Sequence, residues 1–300
     1  MWVLLALLSA LLLGIYDVFK KISLKDNAVI PVLASSIFIS AVVFALSIGL
    51  SEISPEKMRA VHFHVPVIDR KAHLLIFLKS IIVLSSWISA YFGMKNIPIT
   101  IYSPIRSTQP VWTVIGAFII FAERLTVVQA VGVSITIISF YLFSLAGIKE
   151  GISWKSNKWV WMIILATLLG SVSGLYDKHL MHDHDRVAVQ VYSTIYQAIV
   201  MLIIVFALWW PTRHKTTRFS WRWSIVGVSL FLMMADYAYY WSLSSDGAMI
   251  SIVSTIRRSG AVVPFLFGAF TLKEKNLKVK GILLCGILAG VILLTFGAMK

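Results

Sequence analysis

The sequence predicts an all-α integral membrane protein in which ten transmembrane helices form two inverted five-helix repeats. Three observations predict this fold. The 300 residues are 59% hydrophobic and only 13% charged, with a mean hydropathy of +0.86. Ten apolar windows are long enough to cross about 30 Å of hydrocarbon. Short motifs of the first five windows recur, in the same order, in the last five.

Each predicted span is a mainly apolar stretch between charged clusters, near the roughly 20 residues that a membrane-crossing helix needs. In chain order the ten windows are 2–18, 29–50, 74–94, 97–121, 127–148, 159–176, 187–210, 223–243, 248–272 and 279–299. The short connections leave no room for a soluble domain. The first window lacks a basic leader and a small-residue cleavage site, so we expect a retained span rather than a signal peptide.

Three motifs define the two halves. They are "GIYD" at 14–17 and "GLYD" at 174–177, "SPIR" at 103–106 and "STIR" at 254–257, and "GAF" at 116–118 and 268–270. The division predicts a first repeat (1–148), a polar connector (149–158) and a second repeat (159–300). Because five spans is an odd number, the second repeat must enter the membrane from the opposite side. Inverted repeats are typical of transporters, which hold substrate near the midplane between the halves.

Composition excludes several other classes of function. The net charge of +14 fits basic loops beside anionic headgroups, so we expect membrane lipids and no nucleic acid as partners. The single cysteine, Cys285, can form neither an intrachain disulfide nor a cysteine metal cluster. Paired carboxylates, a nucleophile with its base and a phosphate-cradling glycine loop are all missing from the sequence, so we expect no enzyme activity and no cofactor.

The histidine-rich stretch "KHLMHDHDR" (178–186) raises the question of a metal site. It groups three histidines with two aspartates, which are possible ligands. However, the sequence offers no second cluster to complete a coordination sphere. We therefore interpret the stretch as a solvated loop and expect no metal.

The motifs resemble the drug/metabolite transporter superfamily, specifically its EamA-type ten-helix members. The resemblance covers essentially the whole chain and includes the block "GAFIIFAERLTVVQAVGV" with its partner "GAFTLKEKNLKVKGILL". It implies a multi-pass protein of the bacterial inner (plasma) membrane with both termini in the cytoplasm. Loops after odd-numbered spans nevertheless carry about twice as many basic residues as the others, which favours termini outside. The orientation therefore stays open.

Two features depart from the family pattern. Leu13 occupies the position of a common tryptophan, and arginines in the fourth and ninth spans are not a general family feature. The adjacent Arg257 and Arg258 resemble a basic pair in plant triose-phosphate translocators, where such residues hold a phosphate. That similarity extends to these two residues alone.

Arg106, Arg257 and Arg258 lie deep inside predicted spans, where each guanidinium costs roughly 2.5–3.5 kcal/mol to insert. Asp236 is the only carboxylate that we place well inside a span, so two arginines lack an acidic partner. An anion in a wet central cavity would offset both charges, since the planar guanidinium binds phosphate or carboxylate with two hydrogen bonds. In the structural alternative, one arginine pairs permanently with Asp236 and the others bond carbonyls near the prolines of these spans.

Further residues complete the predicted substrate site. Ser103 and Ser254 lie one helical turn from an arginine, and Lys79 would add a point charge at one mouth of the cavity. The residue equivalent to Arg258 in the first half is Ser107. We therefore expect an asymmetric site despite the repeat.

The eighth span carries two pairs of residues spaced by four, so each pair shares a helix face. Asp236 and Tyr240 form the first pair, which we assign to the substrate site. Tyr237 and Trp241 form the second. This second pair fits a cavity wall and a membrane interface equally well.

Charged residues near the ends of the first and sixth spans occupy equivalent positions. Asp17 with Lys20, and Asp177 with Lys178, are predicted gating pairs that close opposite faces in turn. Simple anchoring of the helix ends is an equal alternative, because surface ion pairs are weak.

The leading hypothesis is a secondary transporter that moves a small organic anion, with a phosphate group favoured, by alternating access. The predicted partner is a small-molecule or lipid-linked anion. The alternatives are an exporter of amino acids or amphipathic drugs with structural arginines, and a translocase of a lipid phosphate.

Overall fold

The computed structural model describes residues 1–97, 102, 105–106, 108–148, 157–271 and 277–298. All regular structure in these ranges is helical, which confirms the all-α class for the described residues. The helices are α1 (Trp2–Leu24), α2 (Val29–Ile53), α3 (Pro55–Ala60), α4 (Arg70–Asn96), α5 (Gln109–Phe121), α6 (Val127–Ile148), α7 (Lys158–Asp183), α8 (Arg186–Ile204), α9 (Ser224–Leu243), α10 (Ile250–Arg258), α11 (Val262–Thr271) and α12 (Leu277–Ala298). A π-helical turn (Val205–Trp209) continues α8, and a 3₁₀ turn (Ser259–Ala261) joins α10 to α11.

Five of these helices are long and apolar enough to cross a membrane. They are α1, α2, α4, α7 and α8 together with its π-helical turn, and each overlaps a predicted window. Shorter apolar helical stretches at Gln109–Phe121, Val127–Ser139 and Gly281–Gly290 fall inside three further windows. The total of ten spans stays a prediction.

Side-chain caps fix where several helices begin. Asp69 accepts a hydrogen bond from a backbone N–H of the first turn of α4 (3.1 Å), and Asp185 does the same at α8 (2.8 Å). Glu123, which follows α5, accepts from the backbone N–H of Ile250 at the start of α10 (2.8 Å). These carboxylates satisfy N–H groups that have no partner within the helix, and they favour the positive end of the helix dipole.

The ninth window is helical, but it is not one regular α-helix. α10 ends at Arg258, and a 3₁₀ turn interrupts the helix before α11. Gly260 in that turn lies against α1, where an added Cβ would stand 2.9 Å from the carbonyl carbon of Ala10. Only glycine allows this close approach. In the fourth window Ile105 and Arg106 are helical, Thr108 lies in a turn, and α5 begins at Gln109.

α1 packs antiparallel against α9. At one end the hydroxyl of Ser23 lies 2.7 Å from that of Ser224. At the other end Ser242 donates to the carbonyl oxygen of Trp2 (2.8 Å). Hydrogen bonds of hydroxyl groups therefore link α1, the first helix of the first half, to α9, the third long helix of the second half.

α4 packs antiparallel against α7 in the corresponding way. Ser86 donates to the carbonyl oxygen of Ala166 (2.7 Å), and the rings of Phe92 and Trp159 stack with centroids 6.2 Å apart. α2 also contacts α8, and α6 contacts α12. In the last pair a Cβ on Gly290 would lie 2.7 Å from a carbonyl oxygen of α6, so the two backbones are in close contact.

Candidate functional site

A central cavity of about 190 Å³ lies where α1, α4, α5, α7, α8, α9 and α10 meet. Eight charged side chains line it, five basic and three acidic: Asp17, Lys20, Lys79, Arg106, Asp177, Asp236, Arg257 and Arg258. Tyr240 and Ser254 also line the cavity, so the fold brings ten of the predicted site residues together. Lys178 does not line it, and Ser103 lies outside the described residues. The binding and gating roles of these residues stay predictions.

Arg257 on α10 forms an ion pair with Asp236 on α9. Its guanidinium carbon also lies 4.2 Å from the ring centroid of Tyr239, a cation–π contact. The Nε of Arg257 is buried and has no hydrogen-bond partner among the described residues. Asp236 thus neutralises one of the three arginines, as both interpretations of the sequence require.

The other two arginines bond to neutral groups. Arg106 donates to the carbonyl oxygen of Ala166 on α7 (2.7 Å), and Arg258 donates to the side-chain oxygen of Gln109 on α5. Within the described part of the chain, neither guanidinium has a carboxylate at ion-pair distance. A neutral acceptor satisfies N–H donors but leaves the positive charge uncompensated.

Two lysine–aspartate pairs lie beside the arginines. Lys20 pairs with Asp17, three residues before it on α1. Lys79 of α4 places Nζ 3.3 Å from Oδ1 of Asp177 on α7, and both side chains are buried. That oxygen receives no aligned hydrogen bond from the described residues, so charge alone holds the pair. The three ion pairs leave two positive charges unmatched among the eight charged groups.

Tyrosine rings surround both lysines. The Nζ of Lys20 lies 4.4 Å from the ring centroid of Tyr16 and 5.4 Å from that of Tyr91. The hydroxyl groups of these two tyrosines are 3.1 Å apart. The Nζ of Lys79 lies 5.2 Å from the ring centroid of Tyr240. Such ring faces stabilise an ammonium group that burial has deprived of water.

The predicted gating residues lie deeper than the sequence suggests. α1 and α7 continue for more than a turn past Asp17 and Asp177. Both aspartates are paired with a lysine, so the helices can continue beyond them. Asp177 and Lys178 have other partners in this structure, and their gating role stays a prediction. Successive residues point about 100° apart on a helix, and Lys178 instead donates to the carbonyl oxygen of Ala248 (2.5 Å). Lys79, expected at a mouth, is only 1% exposed.

The second aromatic pair of α9 packs away from the cavity. The hydroxyl of Tyr237 donates to the carbonyl oxygen of His62 (2.8 Å). The ring of Trp241 lies against Arg186, with the guanidinium carbon 4.5 Å from a ring centroid. These contacts cover the segment between α3 and α4, whereas the predicted pair of Asp236 and Tyr240 lines the cavity.

The interpretation of the histidine-rich stretch 178–186 as a loop is wrong, because residues up to Asp183 continue α7, and Leu180 and Met181 are buried. His182 Nδ1 lies 2.6 Å from Asp183, and both side chains are more than half exposed. Among the described residues, no group of three or more histidine, cysteine, aspartate or glutamate side chains is placed to hold a metal ion.

Five glutamine and threonine residues of the cavity wall were not assigned to the site from the sequence: Gln109, Thr113, Gln190, Thr194 and Gln197. On α8 they follow the spacing i, i+4 and i+7, which places them on one face of the helix. That spacing of uncharged polar residues inside an apolar span is the signal that would have found them.

Comparisons with known proteins identify a family and a fold. The family model described as "EamA-like transporter family" matches residues 1–145 and 157–296. One solved structure, described only as the crystal structure of a protein, aligns with a TM-score of 0.72 at 12% identity, over 98% of both chains. At that identity the likeness shows the fold alone. The comparison with curated proteins gave no match.

Proposed function

The chain belongs to the EamA-like transporter family and is an integral membrane protein, and from this premise we propose that it is a secondary transporter of a small organic anion. A phosphate-bearing substrate is favoured. Arg257 and Arg258 are similar to the basic pair of triose-phosphate translocators, which is consistent with this proposal. The main support for the proposal is a different observation.

The observation that carries the proposal is the surplus of positive charge in the cavity. Among the described residues, Arg106 and Arg258 contact only neutral acceptors. An arginine at the bilayer centre costs roughly 2.5–3.5 kcal/mol or more unless water or an anion compensates it. A bound phosphate or carboxylate would remove that cost and accept paired hydrogen bonds from the guanidinium groups.

We also propose ten spans and an inverted repeat, with the substrate reached alternately from each side. The pattern of helix contacts supports the repeat, because it is unchanged when the halves are exchanged. α1 packs on α9 as α4 packs on α7, while α2 with α8 and α6 with α12 pair equivalent helices. Interrupted segments at equivalent positions beside a midplane cavity are characteristic of such transporters. One occurs here at the ninth position, and in the fourth segment Thr108 lies in a turn before α5.

The finer organisation belongs to the same proposal. The repeats would comprise 1–148 and 159–300, around the connector 149–158, most of which lies outside the described residues. The partners would be a small-molecule or lipid-linked anion and membrane lipids. The location would be the bacterial inner membrane.

The cavity charges argue against a zwitterionic or cationic cargo. Such a cargo needs a carboxylate that is free to meet its ammonium group. Each of the three cavity aspartates already has a cation beside it, namely Asp17 with Lys20, Asp177 with Lys79 and Asp236 with Arg257. Export of amino acids or cationic drugs is therefore the weaker hypothesis.

The test is uptake by liposomes that contain the purified protein. The panel comprises phosphorylated metabolites, small carboxylates, amino acids and lipid phosphates. We expect saturable uptake of at least one phosphate or carboxylate, reduced at least tenfold in Arg258→Gln. Uptake of lipid phosphates alone would instead support the translocase. Uptake of amino acids alone, equal in wild type and Arg258→Gln, would contradict an anion site.

A further inference from the structure

One face of α8 carries uncharged polar side chains along an otherwise apolar helix. Gln190, Ser193, Thr194 and Gln197 recur every three or four residues, and all line the central cavity. Three of the four also line a narrow side pocket of about 20 Å³ that shares this wall. α2, which occupies the corresponding place in the first half, contains no glutamine. α2 carries buried serines, so the difference between the two helices is the amide groups of α8.

Gln190 has a hydrogen-bond acceptor that the protein leaves without a partner. The side chain is 97% buried, since its exposed fraction is 3%. Its Nε2 donates to the carbonyl oxygen of Met233 (2.8 Å), which fixes the orientation of the amide. Its Oε1 is buried and receives no hydrogen bond from the described residues. An unsatisfied buried acceptor costs about 1–3 kcal/mol. The side chain lines the cavity, and we infer that the missing donor comes from a molecule bound there.

Two neighbours extend this surface. Gln197 is also 3% exposed, and its amide makes no hydrogen bond within the described residues. Trp87 of α4 lines both the cavity and the side pocket. A free amide offers donors and an acceptor, and an indole ring offers a flat apolar face with one N–H donor. Together they suit a carbon framework that carries hydroxyl groups, whose O–H groups pair with the amides while its C–H face packs on the ring.

We propose that Gln190, Gln197 and Trp87 form a second subsite, which binds the hydroxyl-bearing carbon body of the transported anion. Arg106 and Arg258 hold the charged group of the same molecule. The substrate class is then a polyhydroxylated organic anion, such as a sugar phosphate or a sugar acid. This assignment rests on the proposed anion transport and adds the chemistry of the uncharged part.

The experiment measures binding by isothermal titration to the full chain in lipid nanodiscs, with empty nanodiscs as the blank. The probes are two matched pairs that differ in their hydroxyl groups. Glucose 6-phosphate is paired with cyclohexylmethyl phosphate, and gluconate with hexanoate. We expect wild type to bind the hydroxylated member of at least one pair about tenfold tighter, the preference of roughly one well-made hydrogen bond. The pair that discriminates identifies the charged group.

The variants separate this subsite from the anion site. Gln190→Met and Gln197→Met keep the side-chain length, so each should lower the preference at least fivefold and leave the affinity for the unhydroxylated probe unchanged. Arg258→Gln should weaken both members of a pair equally. Ser80→Ala is the matched control, because Ser80 is buried and bonds to the Ser193 carbonyl without lining the cavity. Its preference should equal that of wild type.

Two results would overturn the inference in different ways. Equal affinity for both members of each pair in wild type would mean that water supplies the hydrogen bond to Gln190. That result would exclude the second subsite but not the anion site. The same holds if Gln190→Met and Gln197→Met weaken both members alike. Failure of wild type to bind any of the four probes would remove the proposed function and the subsite with it.

Discussion

The two halves place an aspartate at the same position of their first helix and neutralise it in different ways. Asp17 pairs with Lys20 on the same helix, whereas Asp177 on α7 pairs with Lys79 on α4. The residue of α7 at the position equivalent to Lys20 is Leu180. The Lys20 pair moves as a unit with α1, but the Lys79 pair exists only while α4 and α7 stay together. One pair is therefore constant, and the other depends on the conformation.

The fourth and ninth segments show a second inequality. Arg106 and Arg257 are equivalent, but Arg258 corresponds to Ser107, and Gln109 corresponds to Gly260. The Gln109 amide accepts from Arg258. The two halves therefore have equivalent helix packing but different polar groups. This difference is expected when a symmetric scaffold binds an asymmetric molecule.

The largest effect on stability is expected from Lys79→Met. Removing the ammonium group leaves Asp177 as an uncompensated buried charge, which should lower the free energy of unfolding by about 3–5 kcal/mol. Unfolding of the purified protein in detergent measures this change. The double variant Lys79→Met with Asp177→Asn should recover most of the loss. A double variant no more stable than the single one would show that the pair does not hold α4 to α7.

A smaller loss, about 1 kcal/mol, is expected from Lys20→Met. The side chain of Asp17 is 30% exposed against 7% for Asp177, so water in the cavity can hydrate the remaining carboxylate. The same unfolding assay measures the difference between the two lysine variants. Equal losses would remove the distinction between a constant pair and a conformation-dependent pair.

The smallest effect is a shift in conformation. The test uses the variant Cys285→Ala with Ser173→Cys, which places a single cysteine in the cavity wall. The rate at which this cysteine reacts with a water-soluble maleimide measures access to the cavity. Asp177→Asn should change that rate severalfold, because the bond between α4 and α7 is weakened, while Asp17→Asn should not. Equal changes for the two variants would contradict a gating role specific to Asp177.

The helical class, the family and the presence of three arginines in the cavity could be predicted from the sequence. The arginines are easy to recognise because a charge inside an apolar span is costly. The partner of Asp177 could not be predicted. Lys79 lies about a hundred residues away, and only the packing of α4 on α7 brings the two together. The close approach of Gly260 to Ala10 of α1 is likewise a tertiary contact, which the sequence alone did not predict. The role of Gln190 could not be predicted in this way, because a neutral amide carries no charge that requires a partner inside a span.

The central claim is that the cavity holds two uncompensated guanidinium groups for an anion, and Arg258→Gln tests it most directly. Arg258 is the better choice because removal of Arg257 would leave Asp236 without its partner. The melting temperature is measured on the purified protein, and anion uptake is measured after the same preparation is reconstituted into liposomes. Arg258→Lys is measured in parallel. We predict uptake at least tenfold lower in both variants, since lysine lacks the planar fork. The melting temperature of Arg258→Gln should equal or exceed that of wild type, because an intramembrane charge has been removed. A lower melting temperature with normal uptake per folded molecule would contradict the account and make Arg258 a structural residue.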